Sequence, residues 1–129
     1  MTRSEKAKDF LTKAKFSVLE IEILKKTLAE ESRRAELFGN KYKSSENYKA
    51  FTALINRIIA EQEAVLQQAR DLIDSLPDEQ CREVLTLHYL DRLTMEEVAE
   101  RMFYSWRMTN RIQAKAFACV ASLMGLEDD

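Results

Sequence analysis

The sequence predicts an all-α protein. Residues 1–75 read as a long N-terminal helical hairpin of coiled-coil-like pattern, and residues 76–129 as a three-helix helix-turn-helix domain. Three observations carry this expectation. Two Gly and one Pro in 129 residues leave too little turn chemistry for a many-stranded sheet. Ala, Leu, Glu, Lys and Arg, all strong helix formers, dominate the chain. Apolar residues recur at three-to-four and seven-residue spacings along most of its length. A composition of 46% apolar and 33% charged residues is that of a folded, helix-rich soluble protein, which excludes disorder.

From about Ser4 to Phe38, Ala7, Ala14, Ile21, Leu28 and Ala35 recur every seventh position, with Phe10, Leu24 and Phe38 in a second register beside them. This spacing predicts one long amphipathic helix with a coiled-coil-like seam. Gly39-Asn40 supplies a left-handed stop, and the polar stretch to Ser45 connects to a second helix from about Glu46. There Tyr48, Phe51, Ile55, Ile58, Val65, Ala69, Leu72 and Leu76 form the stripe, broken only by Gln62, while Ile59, Leu66 and Ile73 widen it. Two such helices joined by a short loop fold back as an antiparallel hairpin. A hairpin shields one side of each helix, so the widened stripe predicts pairing with another copy or docking on the C-terminal domain, with self-association as a homodimer favoured.

Leu76-Pro77-Asp78 marks the boundary, since Pro suits the first turn of a helix. The next helix, about 78 to 91, carries Cys81, Val84, Leu85, His88 and Tyr89 on its apolar side. Thr94 and Glu97 have the spacing of a capping box, so a helix is expected over 95–102 with Val98, Ala99 and Met102 inward. Phe103-Tyr104 interrupts it and Ser105 can cap a last helix over 106–123. Thr109, Ile112, Ala116, Val120 and Leu123 fall on one face of that helix, leaving Trp106, Arg107, Asn110, Arg111 and Ala114 on the other. Gly125 ends it, and Glu127-Asp128-Asp129 is expected to be a frayed acidic tail.

Several function classes are excluded at this level. The apolar runs fall far short of the ~20 residues needed to span a bilayer, and the N-terminus lacks a signal-like apolar segment, so a cytoplasmic protein without membrane partners is expected. Cys81 and Cys119 lack CxxC or CxxH spacing and read as small apolar side chains rather than a disulfide or zinc pair. His88 has no Ser, Cys or carboxylate constellation around it, and Glu96, Glu97 and Glu100 read as a solvated face plus a cap. No phosphate-cradling glycine loop exists. The expectation is a non-enzyme with no catalytic residue, no metal and no cofactor.

The polar leading face of the last helix carries the positive reading. Two short helices joined by a tight turn outline a helix-turn-helix, and Arg107, Asn110 and Arg111 are side chains able to pair with base edges in a major groove. Charge complicates it. The net charge is −2, with 14 Lys/Arg against 12 Asp/Glu in residues 1–75 but 6 against 10 in 76–129. Affinity for duplex DNA rests mainly on neutralising phosphates.

The run LPDEQCREVLTLHYLDRLTMEEVAERMFYSWRMTNRIQAKAF resembles region four of bacterial sigma factors, the domain that reads the promoter −35 element. The resemblance is carried by Leu76-Pro77, Arg82 to Leu85, Leu93-Thr94, Glu96 to Ala99 and above all Arg111 to Phe117, and it covers about residues 76–124. A long helical N-terminal half ahead of this module, with a YSxR turn at Tyr104 to Arg107, is similar to phage and prophage late-transcription regulators of the ArpU and RinA kind. The resemblance places Trp106, Arg107 and Arg111 at base contacts, and Met108 and Asn110 where cations usually touch phosphate. It implies Thr94, Ser105, Trp106, Arg107, Met108, Asn110, Arg111 and Lys115 as the DNA-binding set. Without a segment like the one that binds the −10 element, a regulator of transcription on double-stranded DNA is expected, with RNA polymerase as a further partner. Two rival expectations are a module that docks on polymerase through Trp106 and Met108 without binding DNA itself, and the small subunit of a phage DNA-packaging machine.

Overall fold

The computed structural model describes residues 1–129. Side-chain caps begin five of the helices. Helix α1 (Arg3–Phe38) begins where Thr2 accepts the amide of Glu5 at 3.1 Å. It ends at Gly39, whose φ of 83° is a conformation that only glycine adopts cheaply, with its N–H donating to the Ala35 carbonyl at 2.9 Å. The polar connection contains one helical turn, α2 (Asn40–Lys43). Helix α3 (Glu46–Asp74) is capped by Ser45. Helix α4 (Glu79–Leu85) is capped by Asp78 and runs on through a π turn, Thr86–Leu90. Helices α5 (Met95–Met102) and α6 (Trp106–Leu123) complete an all-α chain without strands.

α1 and α3 pack along their length, and two cores result. The larger core joins Cys81, Val84 and Leu85 of α4, Leu87 and Tyr89 of the π turn, Val98 of α5 and Ile112, Ala116, Phe117, Val120 and Ala121 of α6. Ile73 and Leu76 enter it from the end of α3, and Ala7 and Leu11 from the start of α1. One core therefore spans the Leu76-Pro77 boundary, and the first turns of α1 act as a fourth wall for the C-terminal helices. The smaller core is the hairpin stem: Ile21 against Ile55, Ile59 and Leu66.

The stem's register differs from the sequence expectation. The α3 residues that merely widened the stripe, Ile59, Leu66 and Ile73, are buried together with Ile55 and Ala69, whereas Phe51 is exposed and Tyr48, Ile58, Val65 and Leu72 sit on the shoulder. Gln62, the polar break, accepts a hydrogen bond from the Ser17 hydroxyl at 2.6 Å, so both polar groups are satisfied inside the seam. Phe38, placed in the α1 seam by spacing, is 68% exposed at the hairpin end.

The acidic tail is not frayed. The Asp128 carboxylate accepts the Arg3 amide at 2.6 Å, and Asp129 pairs with Lys6 at 2.6 Å. Arg3 in turn donates to the Ser122 hydroxyl and the Ala118 carbonyl of α6. The tail is thus an anion set at the positive end of a long helix, where charge and dipole attract.

Candidate nucleic-acid interface

The interface is built on α5, its turn and the first half of α6. Thr94 and Glu97 form the expected capping box: the Thr94 hydroxyl accepts the Glu97 amide and the Glu97 carboxylate accepts the Thr94 amide, both at 3.2 Å. The approach to Thr94 is held from both sides, since the Leu93 amide donates to the Leu87 carbonyl at 3.0 Å and His88 Nδ1 lies 2.7 Å from the Leu93 carbonyl. Burial is the main cause that pushes the His88 imidazole below its ordinary range, and Lys15 and Lys8 add to it. A neutral ring with its proton on Nδ1 donates to that carbonyl.

The turn between α5 and α6 rests on Phe103, which takes the left-handed conformation at φ 58° and is 94% exposed. Glycine is the usual occupant of such a position because a Cβ is strained there. The Tyr104 amide donates to the Ala99 carbonyl at 3.0 Å, and the Tyr104 hydroxyl accepts from Gln80 Nε2 at 2.6 Å, fixing the turn to α4. Ser105 then caps α6 by accepting the Met108 amide at 3.0 Å. Thr109 is fully buried and donates to the Ser105 carbonyl at 2.8 Å. The leading turn of α6 is therefore tied by hydrogen bonds to Ser105, and its preceding turn, through Tyr104, to α4.

On its outer face Trp106 is 58% and Met108 39% exposed. Arg107 and Arg111 are exposed and take part in no ion pair. They sit one turn apart, side by side on one helical face. Asn110 is half-buried and its side-chain amide donates to the Trp106 carbonyl at 2.8 Å, so one of its donors is already committed to its own helix. Lys115 pairs with Asp78 Oδ2 at 2.9 Å, and Asp78 Oδ1 caps α4 by accepting the Gln80 and Cys81 amides. That hydrogen bond from Lys115 is the leading cause that holds the Asp78 carboxyl below its usual range, and it raises the Lys115 ammonium in return. Lys115 thereby ties α6 to α4. Tyr104 opens the YSxR turn, whereas its hydrogen-bond donor Gln80, which also supports the turn, carried no sequence motif.

Residues 72–121 match the family described as Sigma-70, region 4. This segment is a sigma region-four-like helix-turn-helix. Region four of sigma factors in general contacts DNA and RNA polymerase. The match leaves residues 1–71 outside it. No curated protein and no solved structure gives a significant match to the chain.

Several carboxylates of residues 76–129 are engaged away from the leading turn of α6. Asp78 is neutralised by Lys115, and Asp128 and Asp129 are engaged by α1 at the far end of α6, about 27 Å from Ser105 for a helix of this length. Glu96 and Glu97 belong to the first turn of α5, where they favour the helix dipole. No group of His, Cys, Asp or Glu is placed to hold a metal ion, both cysteines are free, and no helix is long and apolar enough to cross a membrane.

Proposed function

We propose that the chain is a sequence-specific, double-stranded DNA-binding transcriptional regulator of the phage and prophage late-transcription kind. It acts in the cytoplasm as a homodimer, without cofactor or catalytic step, with RNA polymerase as its further partner. The observation that carries this reading is the pair Arg107 and Arg111, exposed, free of ion pairs and held on a helix whose first turn is locked by Ser105, Thr109 and Tyr104. Arginine is the side chain best shaped to pair bidentately with guanine in the major groove. Dimerisation is supported by the hairpin's unpartnered apolar side chains, Phe16 at 62% and Ile23 at 56% exposed on α1 and Leu54 at 44% on α3. Two weak readers on one frame gain effective concentration when half-sites match their spacing.

Fluorescence anisotropy with DNA from upstream of the protein's own operon tests the reading. Arg107→Ala and Arg111→Ala should each cost about 1–3 kcal/mol of discrimination against a scrambled duplex. An affinity unchanged in the double variant sinks the proposal. Light scattering should return twice the protomer mass at the same protein concentration.

One observation favours docking on polymerase instead. Phe103, Trp106 and Met108 expose apolar surface together at the turn, and aromatic side chains are common anchors of protein interfaces. A polymerase pull-down that survives nuclease treatment, with no duplex shift at low salt, selects docking over reading.

A further inference from the structure

The far end of the hairpin, residues 31–51, is remote from α6. It stands roughly 40 Å along α3 from Ile73 in the larger core. Aromatic rings gather there. Tyr42 of α2 lies 5.9 Å from Phe38 and 5.4 Å from Tyr48 between ring centroids. Tyr42, Tyr48 and Phe51, with Glu31, Ser45 and Asn47, line an open cavity of about 490 Å³. These rings are not closed into a core: Phe38 is 68% and Phe51 36% exposed.

Cations neighbour the rings in sequence. Lys41 and Lys43 flank Tyr42 in sequence and Lys49 follows Tyr48, and all three are exposed and outside every ion pair. Glu31, the one carboxylate lining the cavity, already accepts from the Tyr42 hydroxyl at 2.8 Å and pairs with Arg34 at 3.5 Å. Residues 31–51, which span the rings and the cavity, hold five Lys/Arg against three Glu, a balance opposite in sign to that of the C-terminal helices.

Exposed rings beside unpaired cations are the two components with which proteins hold single-stranded nucleic acid, bases stacking on the rings while phosphates are neutralised. A duplex hides the faces of its bases and leaves the rings unused. An acidic protein partner would engage the lysines but would not need the cavity. We propose that the hairpin tip is a second nucleic-acid site, binding single-stranded DNA or RNA with bases against Phe38, Tyr48 and Phe51 and phosphates against Lys41, Lys43 and Lys49. It is separate from the duplex-reading face of α6 and stands without it.

The test is anisotropy of labelled oligo-dT and oligo-U, each about 15 nucleotides long to cover one ordinary single-strand site, with the full chain and three variants. Phe38→Ala/Phe51→Ala should weaken binding at least about fivefold with the melting temperature unchanged. Lys41→Gln/Lys43→Gln/Lys49→Gln, all at exposed positions, should lower the slope of log affinity against log salt by about 2. Arg107→Ala/Arg111→Ala should leave both oligonucleotides bound as in the wild type, while losing duplex discrimination. The proposal is overturned by a wild-type chain that binds neither oligonucleotide at low salt, or by tip variants that bind them as well as the wild type. It also falls if the single strand is lost in the α6 variant instead, which would place it on the reader. A change of assembly mass in the ring variant with single-strand binding intact would assign the tip to self-association and equally overturn it.

Discussion

The C-terminal helices and the hairpin stem are both helical and both close on α1, yet they are held very differently. The larger core draws on every long helix of the chain, and Leu11, Ile73, Leu76, Val84, Leu85, Val98 and Val120 are essentially sealed from water in it. The stem core has four buried residues, each still 7–8% exposed, and leaves Phe16, Ile23 and Leu54 to solvent. Two helices alone have no third wall, whereas α4, α5 and α6 enclose a core to which the first turns of α1 add a fourth. The difference teaches where the packing is densest: beneath α6, with the stem left partly open and apolar.

This contrast can be broken by mutation, beginning with the largest effect. Leu11→Ala, although its residue belongs to the hairpin, should destabilise the C-terminal helices by about 2–5 kcal/mol in urea unfolding. Ile59→Ala in the stem should fall near the lower end of that range, because a partly exposed site relaxes more readily. Equal losses at the two positions would show that the cores are not distinct. Phe103→Gly should stabilise the reader by about 1 kcal/mol by relieving a left-handed residue that carries a Cβ. A destabilisation on thermal melting would mean that the exposed ring makes contacts that outweigh the strain.

The smallest effect is on pH. His88 has its folded value pushed down, so the unfolded chain binds its proton more readily, and the stability from a neutral His88 is complete above the ordinary histidine value of about 6.5. It is lost as pH falls from there through the folded value. Thermal melting between neutral and mildly acidic pH should decline in the wild type and decline less in His88→Gln, which removes the titrating group. Parallel curves would remove His88 from the acid response. Tyr89 beside it, pushed up to about 12 by burial, stays a neutral phenol throughout this range.

Much of the fold was legible because its signals are local. The Thr94-Glu97 capping box, the Ser105 cap and the Gly39 stop each act within a few residues of themselves, and each sets a helix end where its spacing predicts. What spacing could not resolve was decided through space. Which of two adjacent α3 stripes faces α1 depends on the partner helix, and the burial of Ile59 and Leu66 over Ile58 and Val65 settles it. The tail contacts of Asp128 and Asp129 reach more than a hundred residues back to Arg3 and Lys6, with only complementary charge at the two ends as a hint. The same holds within the site. Arg107 and Arg111 stand free on the face that periodicity assigned to them, but the turning of Asn110 onto the Trp106 carbonyl and of Lys115 onto Asp78 depends on side-chain geometry that no spacing encodes. The π turn at Thr86–Leu90 likewise had no signal in the residues themselves.

Genome-wide capture of DNA fragments by the purified full chain addresses the central claim, that α6 presents Arg107 and Arg111 to base edges. The account predicts enrichment of one short motif containing guanines, lost when both arginines are replaced by alanine. Enrichment of no motif by the wild type, or of the same motif by the double variant, would contradict it.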